Sequence, residues 1–392
     1  MAETREHTAL VAVRMPAGPA WREAVESLWA SGAALLPIDH RLPDLEVRAL
    51  LERARPEMLF DGERVAELAE GVPVEPDVRV VIPTSGTGGV PRLVELTHKA
   101  IDHAVSSSTL ALEAGPGDHW VCCLPLAHVG GLLVLLRAVL TDSPVSVHPR
   151  FDTELVAGES DAAFISVVPT MLKRLLDANI DLSRFRAVLV GGASLDPALA
   201  ERARDAGAPI VRTYGLTESC GGVVHEGRPL AGTEVRLGAN LEVQLSGPTV
   251  MKGYRLDPDA TDSVFTDDGW LLTGDAGELA PDGSLQVDGR LDDLIVTGGE
   301  KVWPDEVEAV LRLHPRVADV AVAGRPDADW GERVVAFVVP RELKRPPSLD
   351  ALRRFAAKRL PRYKAPREVV LLAELPRVSA LGKVHRQRLP VT

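Results

Sequence analysis

Four apolar runs, at 80–82, 119–125, 187–190 and 210–212, each end in a loop crowded with glycine, hydroxyl or other polar side chains. Runs this short, bounded by turn residues, read as buried strands. Stripes of helical period lie among the strands: Ala24, Val25, Leu28 and Trp29, then Leu45, Val47, Leu50 and Leu51. Strands that alternate with helices pair in parallel through right-handed crossovers. In an open sheet of that kind, ligands gather outside the carboxyl ends of the strands. The loops are therefore expected to converge on one site.

The first loop runs Thr84-Ser85-Gly86-Thr87-Gly88-Gly89-Val90-Pro91-Arg92. It places three hydroxyls, three glycines and an arginine within nine positions. Glycine tolerates positive φ, so such a loop can turn back with its N–H groups exposed. Consecutive N–H groups form an anion nest, and the hydroxyls and arginine add donors. The stretch reads as a phosphate cradle. It differs from a Walker loop, which needs GxxxxGK[ST] at the opening of a helix. A plain solvated loop is the alternative reading.

Taken in order, further strands are expected over 9–15, 33–38, 58–60 and 162–168. Helices are expected over 99–112, 132–140, 171–176 and 195–206, the last with Asp196-Pro197 near its start. From Gly227 the pattern changes to short alternating runs at 234–237, 241–245, 270–275 and 284–290, a small antiparallel unit. The polar segment 289–293 makes a domain joint. Beyond it come a strand at 295–296, a helix over 304–313, strands over 317–323 and 334–339, a helix over 349–359 and a strand over 369–372. The expected fold is α/β: a large N-terminal domain, residues 1–290, of stacked βαβ sheets plus a small β unit, followed by a mobile smaller α+β C-terminal domain, residues 291–392.

A net charge of −12 repels a nucleic-acid backbone on average. Cys122, Cys123 and Cys220 make neither a disulfide framework nor a CxxC site. The N-terminus lacks a basic start with a long apolar core. Apolar runs such as 132–136 are far below the roughly 20 residues that span a bilayer. A soluble cytoplasmic protein is expected, with no nucleic-acid partner and no membrane insertion. The oligomeric state is open, a homodimer included.

Several polar clusters need a joint explanation. Tyr214 and Glu218 follow one strand, a ring able to stack on a base and a carboxylate able to hold Mg²⁺. Asp275, in Thr273-Gly274-Asp275, could accept two ribose hydroxyls, and Arg290 adds a cation near the joint. Lys383 lies in a Gly-containing tail from which it could reach a distant site. Singly, each has a plainer reading: core packing for Tyr214, a turn for Asp275, a solvated basic end for Lys383.

Together and in order, these segments resemble the adenylate-forming superfamily of acyl- and aryl-CoA ligases, adenylation domains and luciferases. The similar stretches are TSGTGGVPR (84–92), LPLAHVGG (124–131), GGAS (191–194), TYGLTES (213–219), WLLTGD (270–275), GRLDDLIVTGGEKVWPDEVE (289–308) and GKVHRQRL (382–389). The resemblance spans essentially the whole chain from about residue 9. It implies ATP, Mg²⁺ and coenzyme A as ligands and a small carboxylic acid as substrate. Thr84, Ser85, Gly86 and Thr87 would wrap the β- and γ-phosphates. Gly192, Ala193 and Tyr214 would hold adenine, Thr217 would touch the α-phosphate, and Glu218 with Thr87 would bind Mg²⁺. Asp275 and Arg290 would hold the ribose, and His128 would sit near the reacting carboxylate. Lys383 would stabilise the charge on the carboxylate oxygen and α-phosphate. Asp292 aligns with the hinge about which the small domain would turn, bringing Gly298 and Gly299 to the CoA thiol channel. The chain departs from the family's usual TSGTTGxPKG at Gly88, Arg92 and Leu93, and has one extra residue before Gly382-Lys383.

Weaker features resemble the o-succinylbenzoate–CoA ligases of menaquinone biosynthesis: LPLAHVGGL, SVVPTMLKRLL (166–176), AVLVGGASL (187–195), TYGLTESCGGVV and GRPDADWGERVVAFVV (324–339). That substrate carries a second carboxylate, so an interior cation is expected. Arg137, nine residues after His128 and set among Leu135, Leu136, Ala138 and Val139, is the candidate. A charge in such a helix is costly unless paired. A helix-end arginine reaching solvent is the alternative. Thr170 and Ser219 are expected to line the same pocket.

Overall fold

The computed structural model describes residues 7–84, 91–378 and 383–390. In chain order the elements are β1 (Leu10–Val13), α1 (Ala20–Ala30), β2 (Ala34–Pro37), α2 (Asp44–Ala54), β3 (Met58–Phe60), β4 (Val65–Glu67), β5 (Val78–Thr84), β6 (Arg92–Thr97), α3 (His98–Ala111), β7 (His119–Cys122), α4 (Val129–Thr141), β8 (Val145–Val147), α5 (Thr153–Ala157), β9 (Ala162–Val167), α6 (Pro169–Asp177), β10 (Ala187–Val190), α7 (Pro197–Asp205), β11 (Ile210–Leu216), β12 (Gly221–His225) and β13 (Arg228–Pro229). There follow β14 (Glu234–Leu237), β15 (Glu242–Ser246), β16 (Gly253–Tyr254), α8 (Pro258–Asp262), β17 (Leu271–Leu279), β18 (Leu285–Arg290), β19 (Ile295–Thr297), β20 (Glu300–Val302), α9 (Pro304–Arg312), β21 (Val317–Asp327), β22 (Gly331–Pro340), α10 (Leu349–Ala356), β23 (Glu368–Leu371), β24 (Arg377–Val378) and β25 (Lys383–Val384).

The chain gathers into two compact units. One comprises Met1–Arg236, Gln244–Thr273 and Pro281–Leu285, the other Leu237–Val243, Gly274–Ala280 and Gln286–Thr392. The second thus takes in short segments ahead of the joint expected at 290/291. The strands β14, β15, β17 and β18 pair in that order, and the unit boundaries fall inside them.

The first unit is built on two seven-stranded sheets, in the orders β16-β6-β5-β2-β1-β3-β4 and β13-β12-β11-β10-β9-β7-β8. Parallel pairing holds β3, β1, β2 and β5 in one, and β8, β7, β9, β10 and β11 in the other. This is the α/β class expected. The strands carry continuous apolar runs because helices cover both faces of parallel sheets. Helix starts follow local chemistry: the Thr97 hydroxyl accepts the Ala100 N–H at 3.1 Å for α3, and Asp196 with Pro197 opens α7.

Two elements differ from the sequence expectation. Residues 92–97 carry no assigned element in the sequence reading, yet they form β6, antiparallel to β5 from Val78↔Thr97 to Thr84↔Arg92. Arg92, Glu95 and Thr97 interrupt the apolar pattern, so the strand's signal lies in its partner. The strand expected to stop at Arg212 continues to Leu216. It is parallel to β10 over Ile210–Arg212, then antiparallel to β12 from Thr213.

In the second unit, β21 and β22 form a long antiparallel hairpin; along the other edge of β22, β23 pairs in parallel and β19, followed by β20, meets Gly331. Period-two alternation gives this sheet two apolar faces. One packs Val320, Val322, Val334 and Val338 against Val307 and Leu311 of α9 and Leu352 of α10. The other packs Ala321, Val335 and Phe337 against Leu375 and Leu389. Among the described residues, no helix is long and apolar enough to cross a membrane.

Candidate active site

Thr84 and Arg92 face each other at the ends of β5 and β6. Ser85, Gly86 and Thr87 lie outside the described residues. Arg92 opens a chain of polar contacts. Its Nη1 donates to the Tyr254 hydroxyl at 3.3 Å, with the guanidinium 4.9 Å from the ring centroid. The Tyr254 hydroxyl donates to Glu218 Oε1 at 2.8 Å. Burial, then the charge of Glu218, pushes the Tyr254 phenol up to about 12, so it stays a donor at neutral pH. The other oxygen of Glu218 takes no hydrogen bond among the described residues. One oriented, half-buried carboxylate oxygen suits Mg²⁺, which uses one or two carboxylates together with substrate phosphates. Among the described residues no cluster of three metal-ligating side chains occurs. A metal here would therefore depend on a phosphate-bearing ligand.

Glu218 is presented by the turn between β11 and β12. A Cβ on Gly215 would stand 1.8 Å from the Gly221 carbonyl oxygen, so only glycine lets the two strands close. The Ser219 hydroxyl accepts the Leu216 N–H at 2.8 Å and donates to the Gly221 carbonyl at 3.0 Å. Ser219 is wholly buried and fastens the turn. Thr217 and Glu218 stand half-buried in it, and Tyr214 precedes it, opposite Val224 of β12. At the exit of β10, Gly192 takes φ +78° and, with Ala193, is exposed. Thr170 is exposed in the first turn of α6, which follows β9. In the first unit the loops after β9, β10 and β11 thus leave neighbouring strands of one sheet.

His128 precedes α4 in extended conformation, half-buried, and its carbonyl accepts the Leu132 N–H at 2.9 Å. Along α4, Arg137 is only 5% exposed, which excludes the solvent-reaching alternative. Its Nη2 donates to the Ser108 hydroxyl at 2.7 Å, and its guanidinium lies 4.2 Å from the Trp120 ring centroid. The Nε has no partner, and no carboxylate pairs with this cation among the described residues. Burial lowers its pKa to about 10, still charged at neutral pH. His225, on β12, is its electrostatic neighbour: burial, then the Arg137 charge, lowers the imidazole to about 4.

The second unit carries its own group. Asp275 is 6% exposed and accepts from Arg290 Nη1 at 3.3 Å. Asp292 is exposed in a single 3-10 turn, Leu291–Asp293. Gly298 and Gly299, with φ +60° and +84°, make the two-residue turn of the β19–β20 hairpin. A Cβ on Gly298 would stand 2.5 Å from the Trp330 ring, and the Arg367 guanidinium lies 3.9 Å from that ring's centroid on its own account. The backbone of Lys383 lies in β25, opposite Val378.

Sequence reasoning missed Tyr254 and His225. Tyr254 is one of only three tyrosines, which is the signal it offered. His225 ends an apolar run, GGVVH, and a titratable group there could have drawn notice. The three cysteines are unpaired and buried, and burial raises their thiols, which makes them poor nucleophiles.

Known proteins give this geometry a context. Residues 63–255 match the family model described as AMP-binding enzyme, and residues 306–383 that of the AMP-binding enzyme C-terminal domain. A probable 2-succinylbenzoate–CoA ligase of Mycobacterium tuberculosis is 39% identical over 335 residues, covering 82% of this chain and 86% of the relative. The 2-succinylbenzoate–CoA ligase of Listeria monocytogenes is 31% identical, covering 93% of this chain and 85% of that protein. The o-succinylbenzoate CoA synthetase of Bacillus subtilis, solved with the acyl-adenylate intermediate OSB-AMP, superimposes with a TM-score of 0.88 at 29% identity, over 99% of this chain and 89% of that one. The same synthetase solved with ATP and magnesium gives 0.87. A chain that matches both models and is this similar to such relatives over four-fifths of its length belongs to the AMP-binding, adenylate-forming enzyme family.

Proposed function

We propose that the protein joins 2-succinylbenzoate to coenzyme A at the expense of ATP, in menaquinone biosynthesis, releasing AMP and diphosphate. In the first half-reaction a carboxylate oxygen of the acid attacks the α-phosphorus and diphosphate leaves. In the second the CoA sulfur attacks the acyl carbon and AMP leaves. The relatives named above support the substrate, and likeness to a synthetase solved with its acyl-adenylate supports the route.

The residues are assigned as follows. The segment from Thr84 to Thr87 wraps the β- and γ-phosphates, and Gly192, Ala193 and Tyr214 seat the adenine. Thr217 meets the α-phosphate. Glu218, oriented by Tyr254, would hold Mg²⁺ together with Thr87, and such an ion would supply charge neutralisation for the phosphates. Asp275 and Arg290 hold the ribose. Lys383 neutralises charge on the carboxylate oxygen and α-phosphate, and His128 orients the reacting carboxylate. Both act by fixed electrostatics. Asp292 is the hinge between a large domain, 1–290, and a small one, 291–392, and Gly298 with Gly299 lines the thiol's approach. Thr170 borders the acid, while Ser219, wholly buried, acts through the β11–β12 turn that it fastens.

The observation that carries the choice of a diacid is Arg137. A buried guanidinium with no carboxylate partner is costly, and a substrate carboxylate would supply what it lacks. ATP–diphosphate exchange across a panel of acids tests this. Exchange should be strong with 2-succinylbenzoate and weak with benzoate and medium-chain acids, and CoA should then give the thioester. Equal exchange with a monocarboxylate would favour another acyl- or aryl-CoA ligase. Exchange without thioester formation would favour an enzyme that loads a carrier protein. We place the reaction in the cytoplasm, where ATP and CoA are supplied. Sedimentation of the purified chain checks for a homodimer.

A further inference from the structure

The second unit holds an ion cluster that the chemistry above does not use. Arg386 stands three residues beyond Lys383. Its Nη1 donates to Asp293 at 3.2 Å, and its Nη2 to Asp305 at 2.7 Å and Glu308 at 2.8 Å, while Nε reaches the Val322 carbonyl at 3.3 Å. Glu308 is 3% exposed and also accepts the Val322 N–H at 2.9 Å and Arg312 at 2.8 Å. These partners lie in three places: the 3-10 turn with Asp292, the first two turns of α9, and β21. At the other foot of the β24–β25 hairpin, Arg377 pairs with Asp319 of β21. The His385 N–H closes the hairpin onto the Pro376 carbonyl at 2.8 Å.

Burial pushes the Asp293 and Glu308 carboxyls upward, so charge is held here against a desolvation cost. Around the buried Glu308, ion pairing is weak evidence of added stability, since apolar side chains often stabilise a buried place as well. What an arginine with three carboxylates supplies is direction. It fixes where one strand stands relative to one turn.

We propose that Arg386 is a positioning residue for adenylation, locking the turn that contains Asp292 to the strand that carries Lys383, so that the two move as one piece. The inference rests on the roles given above to Lys383 and Asp292. It accounts for two features at once: a half-buried cluster, anchored on the buried Glu308, placed immediately after the tail strand, and a carboxylate in that cluster adjacent to the assigned hinge.

The test separates the half-reactions, using ATP–diphosphate exchange for adenylation and CoA with supplied acyl-adenylate for thioester formation. Arg386→Ala is expected to lower adenylation kcat about 10–100-fold, the scale of a small misplacement. KM for ATP and acid, and thioester formation, should stay within about threefold. Asp293→Asn removes the charge from the turn's link alone and leaves Asp305 and Glu308 in place. It should move adenylation kcat in the same direction, and adding it to Arg386→Ala should cost little more. If Arg386→Ala does not fold, Asp293→Asn decides. A lower melting temperature with unchanged adenylation kcat, or equal loss in both half-reactions, overturns the proposal. Lys383→Ala is the control. If it retains adenylation, the role of Lys383 fails and this inference fails with it. If it loses adenylation while Asp293→Asn does not, only the coupling fails.

Discussion

Arg137 and His225 show how a single charge sets the terms for its surroundings. Arg137 stays charged although buried, stacked on Trp120 with one hydrogen bond to Ser108. If it receives the second carboxylate, Arg137→Ala should raise KM for 2-succinylbenzoate at least about tenfold, the cost of removing one partner of a desolvated pair. Activity with a monocarboxylate should change far less, and matched losses would remove Arg137 from the acid site. His225 adds a pH dependence. Its pKa falls from 6.5 in the open chain to about 4 in the fold, so the folded state binds the proton less well. The stability from this group is complete above pH 6.5 and is lost as pH falls toward 4. The span corresponds to roughly 3 kcal/mol. Urea melts of His225→Asn across that window should show a shallower fall than the parent; parallel curves would place the titration elsewhere. Tyr254 bears on Glu218. Tyr254→Phe keeps the ring under Arg92 but leaves Glu218 Oε1 without its donor. Loss of a hydrogen bond to a carboxylate, about 1.5 kcal/mol, should lower kcat/KM for Mg·ATP about tenfold. Magnesium titration at fixed ATP reads this, and an unchanged magnesium dependence would detach Tyr254 from the metal.

The elements were legible in unequal measure, for physical reasons. Where a segment's own pattern decides its state, the sequence reading and the structure coincide: β10 falls at 187–190 in both, and α9, expected over 304–313, ends at Arg312. Where a distant partner decides, they part. β6 takes its state from β5, and the second half of β11 from β12. The same holds at the site. Thr84, Tyr214, Glu218 and Asp275 stand out by residue type within local motifs. The Arg92–Tyr254–Glu218 chain joins residues far apart in sequence, and spacing cannot reveal it. Element-scale strain is also open to test at the β19–β20 turn. Gly298→Ala would force a side chain at φ +60° into the Trp330 ring. Displacing the turn should slow thioester formation from supplied acyl-adenylate by about tenfold or more while adenylation changes little, on the scale of a misplaced binding segment. A matched slowing of adenylation would mean that the turn serves stability alone.

At the scale of the molecule, the proposed chemistry draws on both compact units. Tyr214 and Glu218 belong to the first and Lys383 to the second. Two half-reactions with different nucleophiles need different groups around one acyl-adenylate. The carboxylate attack calls for a cation on the forming bond. The thiol attack calls for an approach lined by backbone, for which the Gly298–Gly299 turn is the candidate. One fixed arrangement would leave Lys383 in place during both steps. An arrangement that changes at Asp292 frees it after the first. The two cases differ in what Lys383→Ala does. Under exchange of arrangements, the variant should lose about 10²–10³-fold in adenylation, the range for one lost transition-state donor. It should still convert supplied acyl-adenylate and CoA to thioester at nearly the parent rate. With one fixed arrangement the same lysine would face the leaving AMP, whose charge develops as the thioester forms, and both half-reactions would slow together. Single-turnover measurement of each step in the one variant decides between a hinged enzyme and a static one.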